Sequence, residues 1–200
     1  MNPLFADEPL VLSDPYLGRM SDDEFFNFCQ SNRKWRIERN AAHDILLMAP
    51  TYTLTGKRNA RLLGQLYAWW EEHQEVGEIF DSNAGFTLPN GAVRSPDASW
   101  VSASRWQALT PVQQEKFAAV CPEFVVELRS KTDSLKVLLA KLEEYRQNGT
   151  RLGWLLSCDD EKTYIFRAGQ EGYEMLEGFE RELSGEDVLP GLRVDLRKLR

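Results

Sequence analysis

The sequence is poor in histidine and cysteine, and this scarcity disfavours several kinds of site. Its two histidines, His43 and His73, match no metal-ligand spacing, so a zinc hydrolase and a histidine nucleophile are both poor interpretations. Its three cysteines, Cys29, Cys121 and Cys158, are odd in number and widely scattered. That pattern is typical of structural thiols in a reducing compartment. We therefore expect a cytoplasmic protein without a catalytic cysteine.

Motifs for nucleotide binding and for serine catalysis are also absent. Gly56-Lys57 lacks the upstream glycine of a phosphate-binding loop, because position 51 is threonine, and neither G-x-S-x-G nor G-x-G-x-x-G occurs. No apolar run approaches the ~18 residues of a membrane helix. No basic segment precedes an apolar stretch near the N-terminus. Neither a membrane span nor a signal peptide is expected.

The composition is that of one ordinary globular domain. The chain has 200 residues, of which 42% are hydrophobic and 28% charged, enough for a substantial core without disulfides. Its net charge of −7 argues against non-specific binding of nucleic acid by the surface as a whole. A local basic groove, or a site that meets phosphate through metal ions, stays open.

Local signals divide the chain into an arm and a domain. Residues 1–20 carry three prolines without periodicity and are expected to form an extended N-terminal arm, and residues 21–200 a single domain. Ser21 and Glu24 form a capping box that begins a helix. Further helices are predicted over 55–74, 110–120 and 134–148, and strands over 34–39, 44–49, 78–82, 85–88, 99–102, 123–129, 152–157 and 162–167. Residues 185–199 are expected to be mostly irregular. These elements indicate an α/β or α+β fold with a central mixed sheet flanked by helices.

Two carboxylates stand in otherwise apolar strands. Glu127 follows Phe124-Val125-Val126, and Asp97 precedes another apolar segment. A carboxylate is costly to bury unless it binds something, and its oxygens are ligands that Mg²⁺ and Mn²⁺ prefer. On the helix that follows Glu127, Lys141 and Tyr145 are four residues apart along the border of the apolar stripe. The lysine can lay its stem on the sheet and carry its ammonium toward the strand ends.

Each of these residues also has a simpler interpretation. Asp97 follows a proline and can be a turn residue that begins a strand. Glu127 can pair with Arg129 or Lys131 at a sheet edge. Lys141 can be a solvated lysine on a helix surface. The residues alone leave these alternatives open.

The ordered set of motifs resembles the Uma-two family of restriction-type endonucleases, a branch of the PD-(D/E)XK nuclease superfamily. The resemblance covers roughly residues 33 to 200. It rests on the segments 94–101, 122–130, 152–156 and 189–196, and on Asp133 followed by Lys141, Tyr145 and Gly149. It implies a restriction-endonuclease-like mixed β-sheet with flanking helices. It also implies divalent-metal-dependent hydrolysis of phosphodiester bonds in DNA.

The resemblance further implies the metal ligands. Asp97 matches the family's first acidic ligand and Glu127 the second. Glu38 matches an N-terminal acidic position that joins the metal site, although the glycine that usually follows it is missing here. The implied cofactor is Mg²⁺ or Mn²⁺, held by these three carboxylates.

The remaining roles are implied in the same way. The superfamily's lysine usually lies two residues after the second acid, where this chain has Arg129, and Lys141 on the following helix matches the family's relocated lysine. Lys141 would position the attacking water, with Tyr145 and Arg129 in support and Asp133 as the helix cap. A homodimer is implied as well.

Two other functions are compatible with the sequence. A non-catalytic module that binds nucleic acid or protein and retains the nuclease fold would suit the acidic composition and Arg129 in the usual lysine position. Hydrolysis of another phosphodiester, such as RNA or a nucleotide, is a weaker alternative.

Overall fold

The computed structural model describes residues 9–48 and 50–200. The strands are β1 (Leu10–Leu12), β2 (Arg36–Arg39), β3 (Ile45–Met48), β4 (Gly77–Asp81), β5 (Phe86–Thr87), β6 (Val93–Arg94), β7 (Ala98–Ser102), β8 (Phe124–Leu128), β9 (Leu152–Ser157), β10 (Lys162–Arg167), β11 (Glu174–Glu177), β12 (Glu182–Ser184) and β13 (Arg193–Asp195). The helices are α1 (Asp22–Ser31), α2 (Thr53–Glu71), α3 (Ala103–Gln107), α4 (Pro111–Gln114) and α5 (Leu135–Gln147). Short 3-10 turns lie at Leu17–Arg19, Gln74–Val76 and Leu196–Leu199. Within the described ranges, no helix has both the length and the apolar character needed to cross a membrane.

The larger sheet has six strands in the order β11-β10-β9-β8-β7-β4. Only β8 and β9 run parallel, and the other neighbours are antiparallel. A parallel pair needs a crossover connection, which α5 supplies between β8 and β9. Every residue of these two strands is buried, which explains their almost continuous apolar sequence. The expected central mixed sheet with flanking helices is confirmed.

The two faces of this sheet are covered by different elements. Phe124, Val126 and Leu128 belong to the cluster that contains the apolar stripe of α2, whereas Val125 belongs to the cluster that contains Leu142 of α5. Successive side chains of a strand point to opposite faces. Glu127 therefore points toward α5.

A second, antiparallel sheet has five strands in the order β1-β3-β2-β6-β5. It packs with α1 around a small core of Phe25, Ile37, Ile45 and Val93. The capping box of α1 is formed as predicted, with the Ser21 side chain accepting from the backbone N–H of Glu24. Through β2, this sheet carries Glu38 to the α5 side of the larger sheet.

Several predictions about individual elements were wrong. The helix predicted over 110–120 ends at Gln114, and the preceding α3 was not predicted. The segment 185–199 is irregular over residues 185–192, as expected, but it ends in β13 and a 3-10 turn whose leucines are fully buried against α2. Of the arm over residues 1–20, residues 1–8 lie outside the described part of the chain. Leu10–Leu12 pair with β3 at the edge of the second sheet.

Candidate active site

Five of the six residues singled out in the sequence meet at one place. Glu38 comes from β2, Asp97 from the residue before β7, Glu127 from β8, and Lys141 and Tyr145 from α5. Two strands, the residue before a third strand and one helix thus bring these side chains to the end of β8. Direct contacts connect Glu38, Glu127, Lys141 and Tyr145, and the Leu128 N–H holds Asp97 beside them.

Lys141 lies between two buried carboxylates. Its Nζ is 2.8 Å from Oε1 of Glu127 and 3.0 Å from Oε1 of Glu38. Glu38 is 2% exposed and Glu127 is 3% exposed. One turn along α5, Tyr145 donates its hydroxyl to Oε1 of Glu127 at 3.2 Å, and the Lys141 ammonium lies 5.8 Å from its ring centroid. The helical spacing of four explains why both side chains reach the same carboxylate.

Glu38 is held from its other side by Arg94 and Ser95. Nη1 of Arg94 is 3.1 Å from Oε2 of Glu38, and the Ser95 N–H donates to its Oε1 at 3.1 Å. Burial raises the pKa of Glu38, but the cations Lys141, Arg94 and Arg36 outweigh it and lower that pKa to about 2. Glu38 is therefore a stable anion in the fold.

Asp97 is fixed at the end of β8 by a backbone donor. The antiparallel register of β7 and β8 sets Ala98 opposite Val126, and Oδ2 of Asp97 accepts from the Leu128 N–H at 2.8 Å. Its Oδ1 lies 3.6 Å from Nη1 of Arg36. Burial raises the pKa of Asp97, while Arg36 and the Leu128 N–H act in the opposite direction.

Glu127 experiences an excess of negative charge. Burial and the neighbouring carboxylates of Asp97 and Glu38 raise its pKa to about 7, although Lys141 acts to lower it. Arg94 and Arg36 face Glu38 and Asp97, so Glu127 is paired with Lys141 alone, which it shares with Glu38. An additional cation would therefore be electrostatically favoured at this position.

The donor chemistry of the cluster fits a hard divalent cation. Carboxylate oxygens suit Mg²⁺ and Mn²⁺, and Mg²⁺ usually retains several waters and takes only one or two protein carboxylates. No group of three or more His, Cys, Asp or Glu side chains in the described ranges is already spaced to hold a metal. Lys141 lies between Glu127 and Glu38, and Arg36 faces Asp97. By ligand type, the carboxylates of Asp97 and Glu127 would suit Mg²⁺ with water completing its coordination.

Arg129 lies outside this cluster. Its guanidinium donates to the Asp133 carbonyl at 3.1 Å, to Ser157 Oγ at 3.2 Å and to Asp160 Oδ2 at 2.7 Å. It thus joins the segment after β8 to the turn between β9 and β10. The expected helix cap at Asp133 was wrong, because that carboxylate accepts from the Ser130 N–H within its own turn.

Sequence reasoning missed two arginines of the site, Arg36 and Arg94. Arg94 also donates its Nε to Oε2 of Glu144 at 2.6 Å and so connects Glu38 to α5. For Arg36, the sequence did offer a signal, the alternation of charged and apolar residues along β2. Arg36 and Glu38 lie on one face of the strand, and Ile37 between them is buried on the other. Charge on that face of a strand indicates a partner beyond the strand itself.

Comparisons with known proteins identify the family and the fold. The Uma2 family model, described as "Putative restriction endonuclease", matches residues 22–197. The fold is similar to a crystal structure described as "a putative nuclease belonging to DUF820 from Anabaena variabilis ATCC 29413". The TM-score is 0.71 at 17% identity, over 90% of this chain and 97% of that chain. No curated protein matches. The resemblance inferred from the sequence is confirmed, and so is the fold class.

Proposed function

Because the chain belongs to the Uma2 family of restriction-type endonucleases, we propose that it hydrolyses phosphodiester bonds of DNA with a divalent metal ion. The observation that supports this most directly is the convergence of Glu38, Asp97, Glu127 and Lys141 from four separate segments of the chain. Ionisable groups with perturbed pKa values cluster at functional sites more often than in ordinary cores. A purely structural core would be cheaper to build from apolar residues.

Asp97 and Glu127 would hold the ion, Mg²⁺ or Mn²⁺, with Glu38 as the third carboxylate. When bound, such an ion polarises a phosphoryl oxygen and makes a water molecule more acidic at neutral pH. The backbone N–H of Leu128 fixes Asp97, and the hydroxyl of Tyr145 fixes Glu127. Both carboxylates are thus oriented before any ligand arrives.

Lys141 would act as a cation and not as a base. Burial lowers the pKa of Lys141, but Glu127 and Glu38 more than compensate and raise it above its usual value. The ammonium therefore keeps its protons at neutral pH. In that state it can orient the attacking water and balance the charge that develops on the phosphate. Its fixed position above the Tyr145 ring reduces the reorganisation that catalysis would require.

The direct test is cleavage of plasmid DNA with Mg²⁺, Mn²⁺ or EDTA. Asp97→Asn, Glu127→Gln and Lys141→Met should each lower the rate by about a hundredfold or more. Glu171→Gln, at an exposed position, makes the same charge change as Glu127→Gln and should cleave like wild type. Folded Asp97→Asn and Glu127→Gln proteins that cleave at the wild-type rate would contradict the proposal.

One observation favours a non-catalytic binding module as the second candidate. Glu38, Asp97 and Glu127 each already face a cation from the chain itself. If these ion pairs persist and no metal replaces them, titration calorimetry will detect no Mn²⁺ binding, and Asp97→Asn will bind DNA like wild type.

A panel of DNA, RNA and nucleotide substrates separates DNA cleavage from hydrolysis of other phosphodiesters. The homodimer stays a prediction, which light scattering tests.

A further inference from the structure

Arg36 is the cation of this site whose bonding capacity is least used. It lies two residues before Glu38 on β2 and shares its face of the strand. Its Nη2 donates to the Ser95 carbonyl at 2.7 Å, and its Nη1 lies 3.6 Å from Oδ1 of Asp97. Its Nε is buried and has no hydrogen-bond partner within the described part of the chain.

The contrast with Arg94 shows what is unusual about Arg36. Arg94 makes two short contacts, 2.6 Å to Glu144 and 3.1 Å to Glu38, and its side chain is 11% exposed. Arg36 is 34% exposed, and its 3.6 Å separation from Asp97 is too long for a hydrogen bond. Arg94 is therefore committed to the fold, whereas Arg36 has one short hydrogen bond, an Nε unpaired among the described residues and a side chain that is partly open to solvent.

The chemistry of those donors indicates the ligand. A guanidinium presents its N–H groups as a planar fork that matches two oxygens of a phosphate. A buried N–H without an acceptor is costly, so a movement of the guanidinium that gives Nε an acceptor oxygen would stabilise the site. The neighbouring carboxylate of Asp97 would be free to bind a cation once Arg36 had turned to another anion.

We propose that Arg36 binds a phosphate of the nucleic-acid backbone, and that its loose pairing with Asp97 balances that carboxylate until a metal ion replaces it. Arg36 is then both a competitor of the metal and an anchor of the substrate. This inference rests on the function proposed above and names a phosphodiester-binding residue for it.

The two roles predict opposite changes in one variant. Arg36→Met removes a positive charge next to Asp97, so the affinity for Mn²⁺ measured by calorimetry should rise about tenfold. The affinity for a short DNA duplex, measured by fluorescence anisotropy in Ca²⁺, should fall about tenfold. The salt dependence of that affinity should decrease by about one phosphate contact.

Arg36→Lys separates the two roles. It retains the charge, so its affinity for Mn²⁺ should stay close to that of wild type. It loses the fork, so its affinity for DNA should still fall severalfold, about half as much as in Arg36→Met on a logarithmic scale. Arg33→Met, an exposed position three residues earlier, makes the same charge change as Arg36→Met and should alter Mn²⁺ affinity in neither direction. Urea unfolding of each variant checks that the fold is retained.

The outcomes distinguish this inference from the function on which it rests. Wild type that binds neither Mn²⁺ nor DNA refutes the proposed function, and Arg36 with it. Wild type that binds both, with Arg36→Met indistinguishable from it, refutes the Arg36 inference alone. Parallel losses of metal and DNA affinity in Arg36→Met would assign Arg36 to packing. Tighter metal binding combined with weaker DNA binding supports the inference.

Discussion

Replacing Glu127 with glutamine should change how the stability of the protein depends on pH. The folded protein raises the pKa of Glu127 from 4.5 to about 7, chiefly by burial. Between these values the unfolded chain loses its proton while the folded chain keeps it. The contribution of Glu127 to the free energy of unfolding of wild type therefore falls as the pH rises from about 4.5 to about 7. Glutamine does not titrate, so Glu127→Gln lacks this fall.

The size of the effect follows from the two pKa values. A carboxyl shifted from 4.5 to about 7 destabilises the ionised fold by about 3 kcal/mol. The unfolding free energy of Glu127→Gln, minus that of wild type, should thus increase by about 3 kcal/mol between pH 4.5 and pH 8. Glu38 does not obscure this change. Its pKa is lowered to about 2, so the stability it contributes is present above pH 4.5 and is lost only below it.

Urea unfolding followed by tryptophan fluorescence measures this difference, since the chain contains six tryptophans. The titrations should be made in EDTA, because a bound metal would stabilise the ionised form. Constant effects of the substitution, such as a lost hydrogen bond from Tyr145, cancel when one pH is compared with another. Glu171→Gln is the matched control and should follow the wild-type curve. Parallel curves for wild type and Glu127→Gln would refute the reasoning.

Three further substitutions probe the site and its supports. Lys141→Met leaves Glu38 and Glu127 without their shared cation and should lower the unfolding free energy at pH 8 by about 3–5 kcal/mol. Urea unfolding measures this loss, and an unchanged midpoint would contradict the pairing. Leu199→Ala empties a fully buried position and should cost about 2–5 kcal/mol, which a thermal melt detects; a loss below that range would indicate that the terminal turn is not part of the core. Ser21→Ala removes the capping box of α1 and should cost about 1 kcal/mol with an unchanged urea m-value, whereas a changed m-value would indicate a wider rearrangement.

Glu127 and Asp97 could be picked out as candidates because each violates a local rule, whereas Glu38 was implied only by the family resemblance. Glu127 interrupts an apolar strand, and Asp97 begins another. Because a buried carboxylate is costly without a partner, both positions indicated a binding site. Lys141 and Tyr145 followed from the helical period. Which residues meet could be anticipated, because the ends of neighbouring strands lie together.

The arginines were not predictable in this way. Arg36 contacts Ser95, which is 59 residues away, and that contact exists only because β2 pairs with β6 in a second sheet. No local pattern specifies such a pairing. The terminal segment was missed for a related reason, since its leucines have no helical or strand period and are buried only by the face that α2 presents. Long-range packing determines both the contact of Arg36 with Ser95 and the burial of the terminal leucines.

The contact between α2 and the last described residues has a consequence for synthesis. The Arg58 side chain donates to the Leu199 carbonyl across 141 positions, and the Asp195 N–H donates to Gln65 across 130 positions. Synthesis proceeds at about 5–20 residues per second, so the apolar face of α2 stays exposed for on the order of ten seconds before the terminal segment that packs on it is made. We therefore expect ribosome-bound chains that end before residue 189 to be cleaved readily by protease, and chains extended past residue 199 with a linker to resist. Equal resistance of both would contradict this order. For this fold, the core that α2 faces is completed only once residues 189–199 have left the ribosome.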